Sequence, residues 1–416
     1  MIKVLDIKSH CKPLVLLLGA LVTSRLLFIY VMPPTFSKDM YAWVEVIAIL
    51  KRGGNPYREA SLLNYPPFWL QVLYGIGKIA DATGFAATRL VQSVLIFGEA
   101  IVIILTYALS QFLSLDKRKI FWVLMLALVL NPITILLNCQ HGNFDVFVGF
   151  WILLFTICLL RFYQSKSSIH WLMACLALGL GILTKTIPVI LIPLLFIGIQ
   201  GQRKSISLFG AILLFLPISL GISIIYVLAP EGVAAHVLGY RSMAGWYGIS
   251  GILNLLGQYT WIDMYSAFSP FLILSLMLRV AYKAWRIKTI TAPQLLTLLL
   301  ILLVFLPTFG PGYSPPYILW FLPLMLLYFS WSKRSGILGM ILGFVILSLT
   351  YIVEYAYFPS HGAFIQAFDD AEGLAHYCAS LGESKSQSII RLPMFVFYLW
   401  FYFGLLKDKN NVLMPN

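Results

Sequence analysis

Ionisable side chains are scarce in this 416-residue chain, of which 11% is charged, and those able to do chemistry are gathered in a few short stretches. "SKDMYAW" (37–43) carries Asp39, and "GGNPYREASLLNYPPF" (53–68) carries Tyr65. "NCQHGNFD" (138–145) supplies His141, Asn143 and Asp145, and "LTKTIP" (183–188) supplies Lys185. "GPGYSPPYILWFLP" (310–323) supplies Tyr317 and Trp320, and residues 229–262 add His236, Arg241, Trp246 and Tyr247. A carboxylate in such company can take a proton, and a Lys or Arg can hold an anion by charge-assisted hydrogen bonds. Each residue also has a plainer use. Asp39 can complement the dipole of the amphipathic helix "MYAWVEVIAILKRG", a stabilisation of about 0.3–1 kcal/mol. His141 and Asn143 can cap the helix that follows them, and Lys185 can snorkel towards headgroups.

The elements that must position these groups are membrane helices. With 60% hydrophobic residues and a mean hydropathy of +0.88, the chain lies far outside the soluble globular range. A spanning helix takes about 20 mainly apolar residues. Twelve stretches qualify: 13–32, 88–113, 119–137, 144–163, 169–184, 187–200, 205–228, 264–282, 292–309, 316–330, 336–357 and 391–406. They imply an all-α polytopic membrane protein forming one transmembrane domain over 1–416. Arg25 and Glu99 fall inside the first two spans, where ionised groups are costly unless paired or wet, so they are expected to line a cavity and face each other.

The net charge of +13 does not indicate nucleic acid, because the basic residues form short clusters between apolar runs and no single stripe. The five cysteines lack CxxC spacing and support neither a metal site nor a disulfide framework. The N-terminal run resembles a signal peptide, but its length, Arg25 and the lack of a small-residue cleavage site predict an uncleaved first helix.

Topology hinges on "PPFWLQVLYGIGKIA" (66–80). If it lies on the outer surface, the clusters "DKRK", "RFYQSKSS", "QRK", "YKAWRIK" and "SKR" all join the N-terminus inside, as the positive-inside rule requires. The cytoplasmic segments then hold 18 Lys/Arg and three acids, and the remainder holds 11 Lys/Arg and 13 acids. Asp39 is thereby expected on the outer face, in a long first loop (33–87) carrying surface helices, with further outer loops at 229–262 and 359–390. The polar stretches all fall on that face.

In their order, these pieces resemble the GT-C superfamily of integral-membrane glycosyltransferases over residues 20–330. "DMYAWVEVIAILKRGGNPYREASLLNYPPF" is similar to the family's first-loop pattern of an acid after span one, an amphipathic helix, an "NPY"-like turn and "YPPL" or "YTPL". "QHGNFD" resembles "HGHFQ" or "RGNAD", "LTKTIPVILIPLLF" resembles a lysine-to-proline hairpin, and "YSPPYILWFLPL" resembles "SPQYLLWLLPL" of bacterial mannosyltransferases. Glu99 falls where the first mannosyltransferase of glycosylphosphatidylinositol synthesis carries an Asp. Ser37-Lys38-Asp39 keeps only the second acid of that enzyme's "DxD", and Pro316 replaces the usual Gln.

The resemblance implies a polyprenyl- or dolichyl-phosphate sugar donor, a lipid- or glycan-linked acceptor, mannose as the family's most frequent sugar, and an inverting displacement. Asp39 would be the general base, and Lys185 with Arg241 would hold the leaving phosphate. Tyr65, Glu99, His141, Asn143, Asp145 and Tyr317 would line the substrate pocket. With two cations for one phosphate no metal is obligatory, although a divalent ion is compatible. Competing readings are a transporter or flippase of lipid-linked sugars, against which stands the lack of a clear internal repeat, and a polymerase or ligase for lipid-linked glycans. The compact chain favours a bacterial plasma membrane over the endoplasmic reticulum.

Overall fold

The computed structural model describes residues 7–31, 37–60, 63–197, 199, 203–238, 243–332, 336–357, 383–408, 410–411 and 413. Among them the chain is almost entirely helical, with one isolated bridge between Ala244 and Gly312. In order come α1 (Ile7–Val31), α2 (Lys38–Lys51), α3 (Pro56–Glu59), α4 (Phe68–Thr83), α5 (Ala87–Phe112), α6 (Lys117–Leu124), α7 (Pro132–Ile135), α8 (Asp145–Ser165) and α9 (Ser168–Thr184). There follow α10 (Lys204–Leu228), α11 (Pro230–Gly232), α12 (Gly248–Leu255), α13 (Tyr259–Arg286), α14 (Ala292–Phe309), α15 (Leu322–Trp331), α16 (Gly336–Tyr357), α17 (Glu383–Ile390) and α18 (Leu392–Leu406). Wide π turns at Met125–Val129 and Leu136–His141 extend α6 and α7, and Ile187–Phe196 and Pro315–Trp320 are 3-10 segments.

Six helices are long and apolar enough to cross a bilayer alone: Lys12–Val31 of α1, α5, α8, α10, α13 and α14. Two bent pairs, 117–129 with 132–141 and 384–390 with 392–406, raise the number to eight. Besides α16, the remaining expected spans are shorter helices, and proline is the reason for two of them. It lacks an N–H and blocks a continuous α-helix, so Pro188 and Pro193, and Pro315 and Pro316, sit in 3-10 segments. The twelve expected stretches are therefore mainly helical where described, without all being full-length spans.

Segment 66–80 forms α4, which at 16 residues is about 24 Å long, shorter than the roughly 30 Å hydrocarbon core. Its buried residues Trp69, Leu70, Leu73, Ile76, Gly77 and Ala80 recur at helical spacing and form one face. A Cβ on Gly77 would stand 3.1 Å from Ile47, so the missing side chain lets α4 close on α2. Helix α8 lies at the centre, and a Cβ on Gly149 would stand 2.5 Å from the Leu319 carbonyl oxygen. That glycine admits the segment carrying Tyr317 and Trp320.

Arg25 and Glu99 do face each other. The guanidinium donates through Nε to Glu99 Oε2 at 3.0 Å and makes a closer contact through Nη2. It also reaches the carbonyls of Val129 at 2.6 Å and Leu128 at 3.2 Å. Those carbonyls lie at the bend before Pro132, which has no N–H for Leu128, while the Ile133 N–H goes to the Asn131 side chain instead of Val129. Arg25 thus serves both as counter-ion and as donor to backbone released by the break. Glu99→Leu leaves a buried cation without its partner, and a loss of about 3–5 kcal/mol is expected. Thermal unfolding in detergent should show Arg25→Leu with Glu99→Leu closer to wild type than Glu99→Leu alone.

Candidate active site

The start of α2 is fixed from both sides. Ser37 caps it, accepting from the Met40 N–H at 3.3 Å and donating to the His141 carbonyl at 2.5 Å. One turn on, Trp43 Nε1 donates to the Gly142 carbonyl at 2.7 Å. Gly142 has φ +70°, and a Cβ there would collide with Met40. The positive φ is what calls for glycine here, since the Met40 methyl could move aside.

This docking sets Asp39, in the first turn of α2, against the turn 141–144. His141 Nε2 lies 3.1 Å from Asp39 Oδ2, and Asn143 Nδ2 donates to the same oxygen at 2.6 Å. Oδ1 accepts no hydrogen bond from the described residues, and the side chain is 32% exposed. Asn143 also caps α8, its Oδ1 accepting from the Asp145 N–H at 2.9 Å. Burial acts to raise the pKa of Asp39. The charge and hydrogen bond of His141, the amide of Asn143 and the more distant Lys185 outweigh it, and the carboxyl sits below its ordinary value.

Beside this pair stands a second. Lys185, extended just past α9, donates to Asp145 Oδ1 at 2.7 Å and lies 3.0 Å from Oδ2. The ammonium also lies over the rings of Tyr317 (4.8 Å), Trp320 (5.3 Å) and Phe144 (5.5 Å), close enough for cation–π attraction. Asp145 is fully buried, whereas Lys185 keeps 17% of its side chain exposed. Tyr65 closes the group, its ring edge-on to Trp43 and Phe144. Its hydroxyl is buried with no hydrogen-bond partner among the described residues. Burial first, then Tyr57 and Asp39, hold that phenol well above its usual range.

The structure thus brings together Asp39, Tyr65, His141, Asn143, Asp145, Lys185 and Tyr317. Glu99 is engaged by Arg25 and, with Thr134 and Asn138, lines an enclosed void of about 20 Å³. Arg241 lies outside the described residues, as does the expected outer loop 359–390 up to residue 382, while its last eight residues form α17. Sequence reasoning missed Tyr355, whose hydroxyl meets His141 Nδ1, and the buried pair of Glu354 with Arg391. The second had a signal, since charges in apolar stretches are the same evidence that singled out Arg25 and Glu99. Tyr355 had none in a chain that is 15% aromatic. No three His, Cys, Asp or Glu side chains among the described residues are grouped to hold a metal ion.

No protein-family model matches the sequence, and no curated protein matches it. Among solved structures the chain is similar to ArnT from Cupriavidus metallidurans bound to undecaprenyl phosphate. The TM-score is 0.54 at 14% identity, over 94% of this chain and 77% of that one. The Archaeoglobus fulgidus oligosaccharyltransferase tethered with an acceptor peptide aligns at a TM-score of 0.47 and 13% identity. That alignment takes in 99% of this chain and 56% of the other, so this chain spans little more than half the archaeal enzyme's length.

A depressed carboxyl pKa makes a testable claim about pH. Asp39 favours the folded state fully above the unfolded value of 3.8, and that contribution is lost as pH falls through the lower folded value. Infrared difference spectra should show no protonated Asp39 until the pH is below 3.8. Combining His141→Phe with Asn143→Leu should move the protonation upward.

Proposed function

We propose that this chain, whose all-helical membrane fold is GT-C-like, is a glycosyltransferase that moves a hexose, in our reading mannose, from a polyprenyl-phosphate sugar to a hydroxyl of a lipid- or glycan-linked acceptor. The observation that carries this reading is Asp39: one carboxylate oxygen is held by two donors and the other is open.

The chemistry is a single displacement. The acceptor oxygen attacks the anomeric carbon, the bond from that carbon to the phosphate oxygen breaks, and its electron pair leaves with the polyprenyl phosphate. The acceptor proton passes to Asp39 Oδ1. Attack opposite the leaving group inverts the anomeric centre, and no second carboxylate is required.

Lys185 is suited to the leaving phosphate, because its ammonium is partly exposed and an anion arriving there would share it with Asp145. Arg241 is the second cation in this scheme, so no metal is obligatory. Tyr65 and Tyr317 would offer aromatic surface and a hydroxyl to the sugar, with His141, Asn143 and Asp145 behind them. The lipid phosphate bound by ArnT supports a donor of that class. The distribution of Lys and Arg supports an outward-facing site, and the compact chain with short outer loops supports a bacterial plasma membrane.

Purified protein supplied with radiolabelled undecaprenyl phosphate mannose and a membrane lipid extract should form a labelled glycolipid. Asp39→Asn keeps the shape but removes the basicity, and the rate should fall by about 10²–10⁴-fold; near-normal transfer would reject Asp39 as base. Transfer should also persist in chelator. Loss of activity in chelator with recovery on adding magnesium or manganese would overturn the metal-free scheme.

A further inference from the structure

Tyr351, Glu354 and Tyr355 are spaced by three and four residues on α16 and share one face of the helix. Each reaches a different part of the frame around the site. The Tyr351 hydroxyl donates to the Pro315 carbonyl, where the segment that sets Tyr317 and Trp320 over Lys185 begins. Glu354 binds Arg391, whose Nε lies at 3.2 Å, and Arg391 also donates to the Trp246 and Tyr313 carbonyls at 3.4 Å. Tyr355, fully buried, sets its hydroxyl on His141 Nδ1. One helical face therefore joins the Asp39 half of the site to the Lys185 half.

The partners dictate where the protons sit. An ionised carboxylate only accepts, so the contact between His141 and Asp39 needs hydrogen on Nε2. When the imidazole carries the charge that lowers the pKa of Asp39, Nδ1 donates to the Tyr355 oxygen; when it is neutral, Nδ1 has no hydrogen and the Tyr355 hydroxyl is the donor. The negative charge of Glu354, next along the helix, is matched by Arg391, which leaves the phenol its proton for His141. The other groups facing the Asp39–His141 pair are Asn143 and Asp145 at the head of α8, Lys185 after α9 and Tyr65 before α4.

We propose that Tyr355 is a positioning residue: through His141 it keeps the imidazole proton on Nε2 and aimed at Asp39 Oδ2, so that the open Oδ1 stays turned to the substrate as the base. This rests on Asp39 being the proton acceptor, as proposed above. Asp39 and His141 are joined by contacts between α2 and the turn 141–144, and Tyr355 adds a link from α16.

The first test needs no substrate. The full chain in detergent is labelled with ¹⁵N at its six histidines, and His141→Gln identifies the His141 signals by their loss. With the pH raised until the imidazole is neutral, the expected wild-type spectrum has the proton on Nε2 and Nδ1 without one, and Tyr355→Phe, which removes only a hydroxyl, shifts Nδ1 towards a free acceptor. A proton on Nδ1 in the neutral wild-type ring, or an Nδ1 resonance indifferent to Tyr355→Phe, overturns the proposal whatever turnover shows.

The second test uses undecaprenyl phosphate mannose with the membrane lipid extract. Tyr355→Phe should lower kcat by about 10- to 100-fold with KM for the donor unchanged. In the His141→Gln background, whose amide N–H has no tautomer to set, the same change should cost less than about twofold. Equal losses in both backgrounds, or a loss confined to KM, overturn the positioning role. Full turnover by Asp39→Asn would instead reject the base, and the nitrogen spectra would still decide the proton placement.

Discussion

The site depends on unequal treatment of two oxygens on one carboxylate. Asp39 is partly buried, and burial alone would favour its neutral form. His141 and Asn143 counter this by donating to Oδ2 only. If both oxygens were saturated, the carboxylate would have no lone pair directed outward; if neither were held, the side chain would turn freely. The arrangement requires that α2 and the turn 141–144 be docked at fixed distance, and the bonds from Ser37 and Trp43 to the carbonyls of residues 141 and 142 do this.

The parts that build the site are breaks in helices. Proline and glycine interrupt the helices at 131–132, 142, 187–188 and 315–316, and the last three interruptions carry or adjoin a site residue. Breaks release backbone groups that hydrocarbon cannot satisfy. The two buried arginines answer this directly. Arg25 serves the bend before Pro132, while Arg391, at the bend between α17 and α18, serves carbonyls of residues 246 and 313. Each keeps a glutamate as counter-ion, which accounts for four ionised groups within apolar surroundings without assigning them to substrate.

The fold was legible because membrane helices need length and apolarity, and both are written in the sequence. The span count was less so: ten apolar residues punctuated by Pro188 and Pro193 look alike whether they cross, re-enter or end as a 3-10 segment. In the site, "QHGNFD" and "LTKTIP" exposed four of the polar residues because charges and amides are rare in this chain. The pairing among them was not legible, since it depends on α2 lying across a turn about a hundred residues away. Lys185 illustrates this, because the sequence marks a cation but only the structure reveals Asp145 and three aromatic rings around it. Tyr355 was invisible for the same reason, being one aromatic residue among many until α16 is set beside His141.

The most direct measurement is an electron cryomicroscopy structure of the full chain with undecaprenyl phosphate. The account predicts the phosphate beside Lys185, with Asp39 still held at Oδ2 and its Oδ1 facing the space next to the bound phosphate. A phosphate seated at the opposite end of the molecule, near Lys117 and Lys119, or an Asp39 carboxylate turned away from the bound group, would contradict it.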